Sequence, residues 1–593
     1  MTVRRRVIPR RAFIALLLAP AVVACGAPTA TAPTAPPANQ TAETAKPAGA
    51  PSPAAANPAT TGQSAGASPA PAAGQPAPSA AGPAGGTLTI ASIGPMPPHL
   101  HPYPDSATYS DTWSTLAGYV WGGGLLEFDA TNLEYKPYAA SEYAVSPDGR
   151  TFTFKLRDGL KWSDGQPITV EDYLFAFQEA SKEENDFVSL EELLRIESFT
   201  APDPRTLVVT LRETLARDVA TGAASVVSPV PRHVWQGKSW LDPVANPEIQ
   251  KPTVTSGAFV LASWSTAEGA TFERNPNWFK GASNVERIVY RPGQQPTVAY
   301  ELLRSGQAQW APAIPPAQYT EAKQNPTLTM YEWSPANGVY RLLEFNTTRE
   351  ALKDKRVREA LARALSRDDM IQVGENTLGQ PQYTFLNPNN TRWYNPDVEK
   401  YDFDLARAKA LLQEAGLRLE GSRLLGADGQ QLKLQVMYPV TSNPRQKIAT
   451  YMQQQYRQLG IELEVRGLDA NAYFEEVQKM NYDLSLGTWG GGSIDPDLSS
   501  KAQYLGRGQQ NRTGFNSERV NGLFQQGAVE LDDAKRKQIY FEIQKVVNEE
   551  LPSFFMHSAL SFSPMAKSVT GVQPTRMDGL DVNDAITRWA IAR

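Results

Sequence analysis

Residues 431–490, QLKLQVMYPVTSNPRQKIATYMQQQYRQLGIELEVRGLDANAYFEEVQKMNYDLSLGTWG, change hydrophobic period from strand to helix and back. Leu432, Leu434, Val436 and Tyr438 alternate as one face of a strand. Ile448, Met452, Tyr456 and Leu459 then recur at helical spacing, and Gly460 supplies a C-terminal stop. Ile461, Leu463 and Val465 alternate again. Strand, helix and strand at this spacing predict a βαβ unit, parallel and right-handed. A short helix over ANAYFEEVQKM and another strand over YDLSLGTW follow, so the fold class is α/β.

In open α/β sheets, ligands bind outside the carboxyl ends of strands. The run W-G-G-G-S-I-D-P, Trp489 to Pro496, stands at such an end. Glycine is costly to order, so three in a row need a reason. Two readings are open. The glycines keep bulk away from Trp489, whose ring then faces a ligand cleft, or they serve a tight turn with Trp489 in the core.

The flanking chain mixes strands and helices without an internal repeat. Leu88 and Ile90 alternate as a strand, as does TFTFKL at 151–156. TVEDYLFAFQEA, 169–180, predicts a helix capped by Thr169, with Tyr173, Phe177 and Ala180 on one face. In DKRVREALARAL, Val357, Ala360, Leu361, Ala364 and Leu365 form an apolar stripe. Lys355, Arg356, Arg358, Glu359 and Arg363 form the wet face.

Composition bounds the function. The chain has 593 residues, 41% hydrophobic and 20% charged, which suits a soluble protein of two or more domains. A net charge of -5 without a basic stripe argues against nucleic acid. One cysteine excludes an internal disulfide, and a His-only metal site would need His99, His101, His233 or His557 to converge. No metal or cofactor is expected. No G-x-S-x-G, P-loop lysine or H-E-x-x-H motif is present, so no enzyme is expected.

The N-terminus joins a basic MTVRRRVIPRR to the apolar run AFIALLLAPAVVA, too short to span a bilayer. It reads as a signal peptide over 1–24. VVAC, Val22 to Cys25, resembles a bacterial lipobox, which implies that Cys25 is lipidated and anchors the protein. RRAFI also resembles a twin-arginine export signal, so either export route fits. Residues 25–85 are rich in Ala, Pro and Thr, and predict a disordered tether.

Several blocks, in order, resemble the extracytoplasmic solute-binding proteins of ABC importers, family 5, the dipeptide- and oligopeptide-binding proteins. They are SPDGRTFTFKLRDGLKWSDGQPITVEDYLFAF (146–177, with Trp162 where Phe is usual), TSGAFVLASW (255–264), FERNPNWFKG (272–281), DKRVREALARALSRDDMI, YDFDLARAKALLQEAGL and the 431–490 stretch. AKRKQIYFEIQKVVNEELPSFFMHS closes the series. The resemblance covers nearly all of 86–593. It implies a type II periplasmic-binding-protein clamshell of two α/β lobes joined by two crossovers. Lobe I would span 86–335 with a subdomain inserted at about 126–236, lobe II 336–559, and 560–593 would return to lobe I.

The function implied is an extracytoplasmic, lipid-anchored, monomeric receptor that delivers a peptide or peptide-like solute to a membrane permease. An oligosaccharide receptor, a sensing or scaffold lipoprotein and a cell-envelope hydrolase are the alternatives. The site residues implied are Trp489, Gly490, Gly491, Gly492 and Asp495, with Asn337 and Tyr340 at the crossover and Tyr119, Trp121, Ser256 and Gly257 in lobe I. Peptide-binding members carry W..D..DP, whose first aspartate clamps the peptide's amino group. Here Gly492 stands at that position, so the clamp does not carry over.

Overall fold

The computed structural model describes residues 85–592 apart from 106, 107, 123, 186, 491, 492, 507, 509, 578 and 581–584. Cys25, the expected leader and nearly all of the tether lie outside these residues. All the residues described belong to one compact unit, Pro78–Arg593.

The alternating runs of the 431–490 stretch form the strands their period predicts. Strand Lys433–Pro439 pairs in parallel with Glu462–Leu468, from Lys433 opposite Glu462 to Pro439 opposite Leu468. The helix between them, Asn443–Arg457, buries Ile448, Ala449, Tyr451, Met452 and Tyr456. Gly460 has φ 78°, and a Cβ there would lie 2.7 Å from the Leu424 backbone nitrogen. Both backbone conformation and space therefore demand glycine at this stop.

Strand Leu484–Trp489 extends the sheet. It pairs in parallel with Lys433–Pro439 only at Val436 opposite Leu484 and Met437 opposite Ser485. On its other side it pairs antiparallel with Tyr340–Phe345, Tyr340 opposite Trp489. The six strands run in the order Gly379–Pro381, Ser553–Ala559, Tyr340–Phe345, Leu484–Trp489, Lys433–Pro439, Glu462–Leu468. Their core joins Leu343, Phe345, Leu434, Val436, Leu484 and Leu486 to the covering helices.

Helix Lys355–Arg363 starts from an Asp354 cap and buries Val357, Ala360 and Leu361 as the stripe predicts. Arg358 departs from the expected wet face. It is buried, and its guanidinium donates to the carbonyls of Leu352, Lys353, Glu550 and Leu551. The last two carbonyls close helix Asp533–Glu550, whose terminal acceptors need partners that sequence spacing does not reveal.

A second body begins with Thr87–Ala91, which pairs in parallel with Arg287–Arg291. Gly269–Arg274 and Phe259–Ser265 continue that sheet antiparallel. Its core includes Leu88, Ile90, Leu116, Phe259 and Phe272, and also Met565 and Trp589 from the end of the chain. Between the two halves of this body, 140–211 forms a separate four-stranded antiparallel sheet in the order Ala140–Val145, Thr151–Leu156, Thr206–Leu211, Ile196–Asp203. Helix Val170–Ala180 packs on it, capped by a reciprocal Thr169–Asp172 box. Tyr173 and Ala180 are buried as expected, while Phe177 packs at the margin of the core.

The chain crosses between the bodies twice, side by side. Strand Leu328–Trp333 pairs antiparallel with Ser561–Ala566, Trp333 opposite Ser561. Past Trp333 the chain enters Tyr340–Phe345, and Ser553–Ala559 returns beside it, with Tyr340 opposite Ser558. Two adjacent crossings concentrate backbone rotation in a few residues, the arrangement of a hinge. Among the described residues no helix is long and apolar enough to cross a membrane.

Candidate functional site

Gly490, directly after Trp489, serves backbone approach. Gly490 has φ 115°, and a Cβ there would sit 2.4 Å from the Gly338 carbonyl oxygen in the first crossing. One glycine earlier in the strand has a related reason: a Cβ at Gly487 would sit 2.8 Å from Glu344 Oε2. Gly491 and Gly492 lie outside the described residues.

That space at Gly487 sets the Trp489 ring. The indole N–H donates to Glu344 Oε1 at 3.1 Å. Glu344 lies opposite Ser485, four residues back along the strand, so the ring leans back over Gly487 rather than standing at the strand's tip. The Arg512 guanidinium lies 4.4 Å from the ring centre. Trp489 is half-buried against the aromatic cluster of Tyr340, Phe385, Trp393 and Phe555. Glu344 is buried, and that burial raises its carboxyl above the usual range, opposed by Arg512 and the Trp489 N–H. At the same edge of the sheet, Val339 and Val440 are exposed, 51% and 53%.

Asp495 is occupied. Arg536 grips it with a fork, Nη1 to Oδ2 at 2.6 Å and Nη2 to Oδ1 at 2.9 Å, and both side chains are buried. Arg536 also donates to the Gly527 carbonyl and lies over the Trp393 and Tyr540 rings. Asp495 Oδ1 accepts from the Asp497 N–H and so caps the next helical turn. Tyr340 is buried with its ring 6.0 Å from Phe555, and Asn337 is half-buried in the crossing.

The four candidates in the second body form one frame. Helix Asp111–Val120 ends against the turn at 256–257, where the Ser256 and Gly257 N–H groups both donate to the Val120 carbonyl, at 3.2 and 2.7 Å. A Cβ at Gly257 would lie 2.3 Å from the Tyr119 carbonyl oxygen. Tyr119 is fully buried beside Phe259 and Phe272. Trp121 donates its indole N–H to the Leu100 carbonyl at 2.7 Å. Among the described residues no group of His, Cys, Asp and Glu is placed to hold a metal.

A cavity of about 590 Å³ opens beside the Trp489 loop. Phe128, Tyr135 and Val219 wall it from the inserted segment, Ile494 and Leu498 from the loop, and Met577 lines it as well. That volume lies within the roughly 300–1,000 Å³ of small-ligand sites. Its margins bridge the bodies. Arg392 Nη2 meets Asp218 Oδ2 at 2.9 Å, and Arg392 Nη1 donates to the Leu133 carbonyl at 3.1 Å. The Ala216 N–H donates to the Ala528 carbonyl, and Leu133, Ala336 and Ile494 share a buried apolar contact. None of the nine described candidates lines the cavity; their loop neighbours Ser493, Ile494 and Leu498 do. Ile494 and Leu498 beside the glycine run were a legible signal, whereas Tyr135 and Val219 carry none.

Two α/β bodies joined by paired crossings, with a cavity walled from both sides, define a two-lobed binding protein of the type II periplasmic class. A family model described as bacterial extracellular solute-binding proteins, family 5 Middle, matches residues 134–511, and the chain belongs to that family. It is 29% identical over 452 residues to protein XP55 of Streptomyces lividans, covering 74% of this chain and 80% of that one. To the dipeptide-binding protein of Escherichia coli K12 it is 24% identical over 475 residues, covering 75% and 85%. The crystal structure of the ABC transporter substrate-binding protein CtaP from Listeria monocytogenes superposes with a TM-score of 0.72 at 24% identity, covering 86% of this chain and 100% of that one.

Proposed function

We propose that this protein is the extracytoplasmic receptor of an ABC importer, that it binds a peptide between its lobes without chemical change, and that it hands the peptide to a membrane permease. The observation that carries the reading is the cavity walled by both bodies beside the paired crossings. A ligand filling it touches both walls and stabilises the closed arrangement, which a partner can then recognise. The dipeptide-binding relative supports a peptide as the solute.

The lobes take the boundaries 86–335, 336–559 and 560–593, with the inserted subdomain at about 126–236. Trp489, Gly490, Asp495, Asn337, Tyr340, Tyr119, Trp121, Ser256 and Gly257 act as the frame that sets the distance between the walls. A saccharide platform at Trp489 is disfavoured, because Arg512 already lies across the ring. Cys25 would carry the lipid that, with the tether, keeps a monomeric receptor near its permease. Fractionation checks this: Cys25→Ala moves the protein from the membrane to the soluble fraction.

Calorimetric titration with short peptides tests the site. Leu498 lines the cavity yet is 55% exposed, so Leu498→Trp fills space without disturbing a core. Peptide affinity falls at least about tenfold while the unfolding midpoint holds. Ligand also raises the melting temperature of the wild type, because only the native state binds. Unchanged affinity in Leu498→Trp refutes the placement of the ligand here.

A further inference from the structure

The charged residues of the cavity wall are Glu127, Glu192, Arg195 and Asp218. Three are already paired. Glu127 meets Lys280 at 3.1 Å and Lys136 at 3.4 Å. Asp218 is held by Arg392 at 2.9 Å. Arg195 meets Glu191 at 3.1 Å and Glu213 at 3.9 Å. Glu192, half-buried in the first turn of helix Leu190–Leu194, has no side-chain hydrogen bond or ion pair to any described residue. One carboxylate is thus left uncompensated in a wall that is otherwise neutralised or apolar.

The surroundings favour a cation there. Phe128 and Tyr135 stand edge to face, 5.3 Å apart at 76°, and aromatic faces attract ammonium groups. Burial, and then the carboxylates of Asp218 and Asp495, push the Tyr135 hydroxyl up to about 12, so the phenol stays neutral beside the aromatic pair. Val219, Ala223, Ile494, Leu498 and Met577 supply the apolar remainder.

Resting on the peptide reading above, we infer that Glu192 is the amine-recognising residue of this receptor, and that its ligand is a short peptide with a free ammonium group beside an apolar side chain. An unpaired carboxylate in the wall discriminates: an ammonium gains a charge-assisted bond and a Coulomb attraction, a neutral amide N–H gains only the weaker hydrogen bond, and an anion is repelled. The recognition comes from the inserted subdomain, opposite the loop that carries W-G-G-G. Binding therefore pulls the two walls together through the ligand itself.

The test is titration of wild type, Glu192→Gln and Glu192→Asp with three probes: Leu-Ala-Ala, N-acetyl-Leu-Ala-Ala and N-acetyl-Lys-Ala-Ala. Wild type binds the free tripeptide roughly ten- to a hundredfold more tightly than its acetylated form, the range expected of a charged hydrogen bond. Glu192→Gln brings that ratio close to one, and Glu192→Asp recovers part of it. Equal recovery by the lysyl probe identifies any ammonium as sufficient; no recovery identifies the α-amino group. A ratio unchanged in Glu192→Gln overturns the inference while leaving the peptide reading intact. Wild type that binds none of the three probes overturns both.

Discussion

Glu192 lines the cavity and Asp495 lies behind the loop residues that line it, and the two carboxylates are in opposite states. Asp495 is buried, and both of its oxygens are held by the Arg536 fork. Glu192 is half-buried and unpaired among the described residues. The first sits in a motif that sequence reading singles out, D-P after a tryptophan and glycines. The second sits in an ordinary acidic turn, S-L-E-E-L-L, with nothing to distinguish it. Motif residues here hold the wall in place, and the residue facing the space behind it carries no local signature. A buried carboxylate needs a fixed partner to exist at all, which ties its neighbours to particular types. A cavity carboxylate needs only room.

The sharpest way to break the comparison is to unpair the buried side. Asp495→Ala leaves the Arg536 guanidinium buried and uncompensated, and should cost about 3–5 kcal/mol of stability in denaturant unfolding. The double change Asp495→Leu with Arg536→Met removes both charges and should restore most of the loss. A single-variant cost below about 1 kcal/mol means the fork does not hold this loop, and the distinction between frame and lining collapses.

Arg392→Ala probes the bridge between the walls. Its pair with Asp218 is partly exposed, 25% and 18% for the two side chains, so unfolding stability should change by no more than about 1 kcal/mol. The bond to the Leu133 carbonyl is lost as well, and both contacts span the cleft. The unliganded protein should therefore open, with a larger radius of gyration in solution scattering. An unchanged scattering curve means the bridge does not set the lobe distance.

The smallest effect belongs to Glu192→Gln, which should leave stability within about 0.5 kcal/mol of wild type, as surface changes away from special features do. A loss as large as that of Asp495→Ala would show a structural role for Glu192 and erase the contrast between the two carboxylates.

Much of lobe II was legible because its strands and helices keep strict periods. Leu434, Val436 and Leu463 face the core where alternation puts them, and Ile448, Met452 and Tyr456 where the helical stripe puts them. Arg358 shows where that reasoning stops. Its spacing assigns it to water, yet it is buried against the C-terminal carbonyls of a helix almost two hundred residues away. Trp489 shows the same limit in the site. Its place at a strand's carboxyl end was readable, but the direction of its ring depends on Gly487, Glu344 and Arg512, brought together by pairing of distant strands.

The sequence by itself determined the α/β class, because hydrophobic period and backbone demands such as that of Gly460 act over a few residues, and its ordered blocks carried the family resemblance. Only the tertiary structure decided which residues face the cavity and which carboxylate is left unpaired. Those properties belong to the space between elements far apart in the chain. Pairing is settled by whichever cation lies within about 4 Å, and no local pattern records that distance.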